Sequence, residues 1–368
     1  GNKTLSWVQN RLLHSQFSEF HSGYRVYSTA ALRRIPFDRN TNVFHFDTEI
    51  VIQLLIAGMR IKEVPIPTYY GEEICHVNGL RYAWDVVIAT LKARMQELGL
   101  FYDRKYDCSP EAKTNSHYIH KLDFPSPSSA AMERIEPGAR VLDLGCAGGH
   151  LADELGRRGA HVTAIDLFPL AAGVKVERYI QHDLNLSLPV DGADYDHVLA
   201  LDVIEHLNSP ESFVDNLKAS LQHNPYAKVI VSTGNIGFLV TRLMLLIGQF
   251  NYGKRGILDL THTRLFTMGS FRRLFTQAGF DVLETRGIPA PFPLALGGGA
   301  LSRGLLAINR LLIHLIPSMF SYQIVLVVRP RPSLAQLLRD AIDFSQEKAG
   351  KITDFPQWEC FSNNKAAK

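Results

Sequence analysis

The sequence predicts an α/β fold, a doubly wound and mostly parallel sheet carried by residues 138–330. Three observations predict it. Beyond Pro137, short β-branched runs alternate with stretches of helical apolar periodicity. The first run, VLDLG at 141–145, passes into a glycine-rich turn and then a helix. Acidic residues recur at the ends of successive runs, where ligands bind in such sheets.

RVLDLG is the first strand, and GHLADELGRRG is a helix closed by Gly159. HVTAID is the second strand, RYIQHD a short third, and YDHVLALDVIEHL contains a fourth. PESFVDNLKASLQ is a helix with Pro210 at its start and Glu211 in its first turn. KVIVST is the fifth strand, MGSFRRLFTQAGF a helix stopped at Gly279, and DVLETRG the sixth strand. Helix LSRGLLAINRLLIHL and strand SYQIVLVVRP, expected to run antiparallel, complete a seven-stranded series.

Ahead of this lies a first unit, residues 1–104, read as a compact α/β piece. Its TEIVIQLLIAG is a helix stopped by Gly58, and its IKEVPIPTYY is a strand that Pro65 and Pro67 confine to an edge. Residues 105–137, rich in Ser, Pro and Lys, read as a linker with one short helix, and 331–368 as a polar tail. The chain opens at Gly1 within a helical pattern, so it is expected to be a fragment of a longer protein.

Composition narrows the function. A net charge of +3 does not argue for nucleic acid. The four cysteines form no CxxC pair, which argues against a disulfide framework or structural zinc and fits a reducing, cytoplasmic setting. No metal is expected. The apolar tracts IGFLVTRLMLLIGQF and GLLAINRLLIHLIPSMF are interrupted by Arg242, Arg310 and His314, too soon for a spanning helix. They leave a peripheral membrane contact open, at the cytoplasmic face.

The turn Gly145-Cys146-Ala147-Gly148-Gly149 lets a ligand approach the backbone. A pyrophosphate would be repelled by Asp143 and would want G-x-G-x-x-G, which disfavours a dehydrogenase. A cationic ligand bearing an amino-acid group, such as a sulfonium, would accept that carboxylate. Asp166 ends the second strand, where an acidic residue suits ribose hydroxyls. Asp183 could accept from an adenine amino group, and Asp202, Glu205 and His206 gather around the same crevice.

The ordered series VLDLGCAGGH, AIDLF, QHDLN and ALDVIEHL resembles the class I S-adenosylmethionine-dependent methyltransferases, in particular their small-molecule O-methyltransferase branch. The resemblance implies a Rossmann-like seven-stranded sheet and S-adenosyl-L-methionine as cofactor. It assigns Asp143, Gly145, Cys146, Ala147 and Gly149 to the amino-acid end. Asp166 with Leu167 takes the ribose, Asp183 with Leu184 the adenine, and Asp202 lies at the crevice. Ala147 stands where the family usually has glycine.

Methyl transfer to a hydroxyl needs alignment and removal of a proton, so histidine is the natural base. His206 follows the fourth strand, and His262 lies in the insert GILDLTHTRLFT after the fifth. In the resembling family this insert, here Asp259, Thr261, His262, Arg264, Phe266 and Thr267, lines the acceptor side. Arg264 would bind an anionic group of the acceptor or pair with Asp259.

SEFHSGYR at 18–25 and the later pattern through Glu49, Gly58, Arg60, Glu63 and Pro65 resemble the C-terminal half of family 2 glycosyltransferases. That resemblance implies a partial GT-A-like segment with Glu19, Gly23, Tyr24 and Arg25 as its acceptor-side motif. No D-x-D precedes Glu19, so the segment is expected to be inactive alone or to serve as a platform. The chain therefore reads as a methyltransferase in a bifunctional protein, acting on a small-molecule, glycan or lipid-linked sugar acceptor. The alternatives are a scaffold that binds the cofactor without turnover and a glycosyltransferase fragment whose main activity lies upstream.

Overall fold

A computed structural model describes residues 2–66, 78–97, 101–108, 124–332 and 334–351. The sheet has seven strands: β1 Arg140–Leu144, β2 His161–Asp166, β3 Arg178–Gln181, β4 His197–Leu201, β5 Lys228–Gly234, β6 Phe280–Ile288 and β7 Gln323–Pro330. Their order is β3-β2-β1-β4-β5-β7-β6. Pairing is parallel from β3 through β5, while β7 runs antiparallel to both β5 and β6. The carboxyl ends of β1, β2 and β4 therefore lie side by side, with the order reversing between β1 and β4, the place for a ligand crevice.

Alternation along the strands feeds two cores. Leu142, Leu144, Val198, Ala200, Val229 and Val231 face helices α7 Pro210–Ser220 and α9 Met268–Gln277. Val141, Val162, Ala164, Leu199 and Ile230 face α5 Pro127–Met132 and α6 His150–Arg157. Strands buried on both faces read as continuous apolar runs, which is why their bounds were legible.

The first unit departs from its expectation. Its described residues form helices α1 Asn2–Leu13, α2 Thr29–Leu32, α3 Phe46–Ile56 and α4 Gly79–Glu97, with no strand among them. Of the expected strand IKEVPIPTYY, residues 61–66 pair with nothing in a sheet, and 67–70 lie outside the described residues. A side chain holds this segment instead: the Glu63 carboxylate accepts from the Ser18 amide at 3.0 Å, its hydroxyl at 2.8 Å and the Glu19 amide at 3.2 Å.

The unit also runs past residue 104. Tyr106 is buried with Ile52, Ala89 and Ala93, and Gln53 donates to the carbonyl of Lys105 at 2.8 Å. Lys105 pairs with the buried carboxylate of Glu49. At the other end, α5 packs into the sheet's core, so residues from Pro127 belong to the sheet domain rather than a linker. Within the expected tail, residues Leu334–Lys351 form helix α13.

Four further helices lie after β5 and between β6 and β7. α8 Leu239–Leu246 lies in the insert after β5, and α10 Phe292–Leu296, α11 Ala300–Leu315 and the single turn α12 Pro317–Phe320 lie between β6 and β7. No helix among the described residues is long and apolar enough to cross a membrane.

Candidate active site

The turn after β1 is built by left-handed residues. Gly145 has φ 75° and Gly149 φ 78°. A Cβ at Gly145 would meet Val203 Cγ2 at 2.3 Å, and one at Gly149 would meet Leu170 Cδ2 at 2.5 Å. The chain's own packing therefore demands both glycines. Ala147 also lies in the left-handed region, at φ 49°, which explains why glycine is the usual residue there.

Asp166 locks this turn to the end of β2. One carboxylate oxygen accepts from the Ala147 amide at 2.7 Å and the other from the Phe168 amide at 2.9 Å. Each oxygen keeps a lone pair, so ribose hydroxyls can still be accepted. Residues 167–177 cross to β3 without a helix, and the Ala171 amide donates to the Gly148 carbonyl at 3.1 Å. The crossover thus folds back over the glycine turn. Leu167 is exposed on it.

Asp143 is 3% exposed and its Oδ2 has no partner. Burial, and then the negative charge of Asp166, push its carboxyl up to about 7. An orphaned, buried carboxylate of raised pKa is what an ammonium or another N–H donor would satisfy. The residues present therefore fit a cofactor with a cationic amino-acid end. Cys146 beside it is buried, and its thiol is pushed up by burial and by Asp143, so it is no nucleophile.

Asp183 accepts from the main-chain and side-chain nitrogens of Asn185, both at 2.9 Å, on one oxygen only. The other oxygen is not used by Asn185. The Leu184 side chain is buried in the core, which leaves its main chain to face a ligand. Asp202, at φ 56°, accepts from Ser232 Oγ on one oxygen and from Gln323 Nε2 on the other, each at 2.7 Å. It organises the crevice floor.

Glu205 is turned into the core, 2% exposed, and Oε1 accepts from the Gly234 amide at 3.3 Å. Burial and the nearby charge of Asp202 push its carboxyl up to about 8. His206 is exposed, so the two do not converge on a metal. Among the described residues no cluster of three His, Cys, Asp or Glu side chains could hold an ion.

The insert from Ile236 to Phe266 closes on itself, the Ile236 amide donating to the Phe266 carbonyl at 2.9 Å. It is pinned to the end of β4 by the Glu205 carbonyl, which accepts from the Thr263 amide at 2.8 Å and the Arg264 amide at 3.2 Å. This brings His262 against His206, ring centroids 4.7 Å apart. His262 Nδ1 lies 2.9 Å from the Ile257 carbonyl, which can only accept, so Nδ1 carries the proton and Nε2 is basic. Burial lowers the His262 pKa; the Ile257 contact and the charges of Asp259 and Asp202 oppose that, while His206 adds to it. His206 Nδ1 meets Thr261 Oγ1 at 3.0 Å, and Thr261 in turn donates to Asp259 at 2.7 Å.

Arg264 pairs with Glu211 at the start of α7, at 3.3 Å between two exposed side chains, rather than with Asp259. Sequence reasoning missed Tyr322 and Gln323 at the head of β7. Tyr322 stacks edge-on against Phe238 at 5.7 Å and its hydroxyl is pushed up to about 12 by burial and by the carboxylates of Asp202 and Asp259. The signal was a polar SYQ opening an otherwise apolar strand.

In the first unit, Arg25 donates to the carbonyls of Ser22 and Asp47 at 2.9 Å and to that of Phe20. Glu19 accepts from the His21 amide at 2.8 Å, Gly23 has open space around it, and Tyr24 is exposed.

Residues 115–285 match a family described as a methyltransferase domain, a match that does not reach the first unit. The ubiquinone biosynthesis O-methyltransferase of Xylella fastidiosa (strain M23) is 40% identical over 110 residues, 27% of this chain and 43% of that protein. The one from Paracidovorax citrulli is 29% identical over 186 residues, 47% of this chain and 77% of that protein. The chain thus spans less than half the length of the first relatives it matches. A solved structure of 1,6-didemethyltoxoflavin-N1-methyltransferase from Burkholderia thailandensis aligns at 16% identity and TM-score 0.39, covering 60% of this chain and 83% of that one.

Proposed function

We propose that this chain, which carries a class I S-adenosylmethionine-dependent methyltransferase domain, methylates a hydroxyl of a small-molecule acceptor with His262 as general base. The observation that carries the reading is the pairing of an orphaned carboxylate on β1 with an oriented, neutral imidazole on the insert. S-adenosylmethionine, when bound, supplies an electrophilic methyl group. Asp143 meets its ammonium end, Asp166 its ribose, and Asp183 with the Leu184 main chain its adenine.

On the acceptor side, His262 Nε2 takes the hydroxyl proton, leaving the oxygen to form the new bond. The Ile257 carbonyl holds the imidazole in the needed tautomer and favours the imidazolium once formed. His206, exposed and tied through Thr261 to Asp259, packs edge-on against the His262 ring and holds its position. Tyr322 and Phe238 form an aromatic wall against which a flat acceptor packs. Arg264, engaged by Glu211, supports the insert rather than binding the acceptor.

A glycan or lipid-linked sugar hydroxyl is the second acceptor class, favoured by the exposed Leu245, Leu246 and Ile247 on the insert. We read the first unit as a platform, because Arg25 is committed to main-chain carbonyls.

The test is methyl transfer from labelled S-adenosylmethionine to a panel of catechols, other phenols and sugar hydroxyls, read by mass spectrometry. The wild type methylates one class at oxygen, and His262→Ala loses the reaction while retaining the cofactor. Product at nitrogen or carbon, or an undiminished variant, contradicts the reading.

A further inference from the structure

Helix α11 is apolar on two faces, with Leu305, Leu306, Leu312 and Ile313 half-buried on the side toward the fold. Its polar Ser302 and Asn309 are buried, Asn309 accepting from the Ala290 amide and donating to the Phe320 carbonyl, both at 2.9 Å. Those two bonds fix the helix's rotation. Its apolar Leu301, Ile308, Leu311 and Leu315 are 57–68% exposed. At about 100° per residue these four fall within an arc of about 80°. Arg303, Arg310 and His314 occupy the adjoining arc and are also exposed.

The outer apolar face, uncovered among the described residues, is the kind of contiguous patch that marks an interaction surface. The charge pattern says which kind. From Thr285 to Arg339 the chain has no Asp or Glu, and none from Ile236 to Leu258. The second stretch carries α8, whose Leu246 and Ile247 are exposed beside Arg242. The two stretches share one end of the molecule, because Asn235 donates to the carbonyls of Ser318 and Ser321 at 3.1 and 2.9 Å.

We propose that α11 lies on an anionic bilayer surface. The Leu-Ile arc enters the acyl boundary, and Arg303, Arg310 and His314 meet lipid phosphates. A cavity of about 630 Å³ lined by Arg310, His314, Arg286 and Ser126 opens beside the cationic arc and gives room for headgroups. Arg286 there is already paired with Glu133 at 2.6 Å, so Arg310 and His314 carry the recognition. Facing two copies across this surface would oppose cation to cation, which disfavours self-association. The proposal does not rest on methyl transfer, since vesicle binding needs neither cofactor nor acceptor.

The test is co-sedimentation of the full chain with vesicles of equal parts phosphatidylglycerol and phosphatidylcholine, against phosphatidylcholine alone. The protein should sediment with the anionic vesicles and leave them as salt is raised. Leu311→Glu with Leu315→Glu should weaken partitioning by about tenfold or more, and Arg303→Glu with Arg310→Glu should abolish the anionic preference. The substituted side chains are exposed, and unchanged melting verifies the fold. No sedimentation, or sedimentation unaffected by the Glu variants, overturns the proposal. So does a dimer without vesicles that Leu311→Glu with Leu315→Glu converts to monomer, because the face would then join two copies.

Discussion

His262 donates its Nδ1–H to the carbonyl of Ile257 at 2.9 Å, fixing the tautomer in which Nε2 is the basic nitrogen. Because burial lowers its pKa below the ordinary histidine value, the ring is neutral throughout the neutral range. We predict that turnover is flat above neutrality and falls as pH drops through a value below about 6.5. His262→Ala should reduce kcat by about 10²–10⁴-fold with cofactor affinity intact. Steady-state kinetics paired with calorimetry separates the two effects.

Asp143 gives a pH signature on binding. Its carboxyl is raised to about 7 without ligand, so below that pH a bound proton competes with the cofactor's ammonium. Affinity for S-adenosylmethionine should rise with pH toward a plateau above about 7, by up to about tenfold per unit on the steep side. Asp143→Asn should bind more weakly at pH 8 and lose that dependence. A wild-type affinity independent of pH contradicts the assignment.

Ala147 tests the turn's strain. Its left-handed backbone costs a side-chain-bearing residue about 1–2 kcal/mol, and glycine's extra unfolded-state freedom offsets about 0.5–1 of that. Ala147→Gly should therefore stabilise the fold by about 0.5–1 kcal/mol, and Ala147→Val should destabilise it. Chemical denaturation measures both.

Glu205 links stability to alkali. A carboxyl raised from its ordinary range to about 8 favours the folded state when protonated, so its contribution is complete below about 4.5 and is lost as pH rises through about 8. Melting of the wild type should fall between pH 5 and 9 more steeply than that of Glu205→Gln. Parallel curves would show that Glu205 does not titrate in this range.

The sheet was legible because buried parallel strands leave unbroken apolar runs, SYQIVLVVRP among the apolar ones, whereas the insertion of β7 between β5 and β6 was not. The placement of Asp143, Asp166 and Asp183 at or just past the ends of β1, β2 and β3 was legible from the same runs. What failed was long-range. Nothing local told that Glu63 would cap Ser18 and Glu19 in place of strand pairing. Nor could it tell that Arg264 would meet Glu211, fifty-three positions earlier, rather than the near Asp259. Tyr322 was hidden because its neighbours in space, Phe238 and Asp202, lie on other strands' loops.

The most direct measurement is calorimetric titration of the chain with S-adenosylmethionine, S-adenosylhomocysteine and NAD. Saturable binding of the first two at one site, weakened by Asp143→Asn, with no heat from NAD, is the predicted result. Binding of NAD, or of none of the three, would contradict the account.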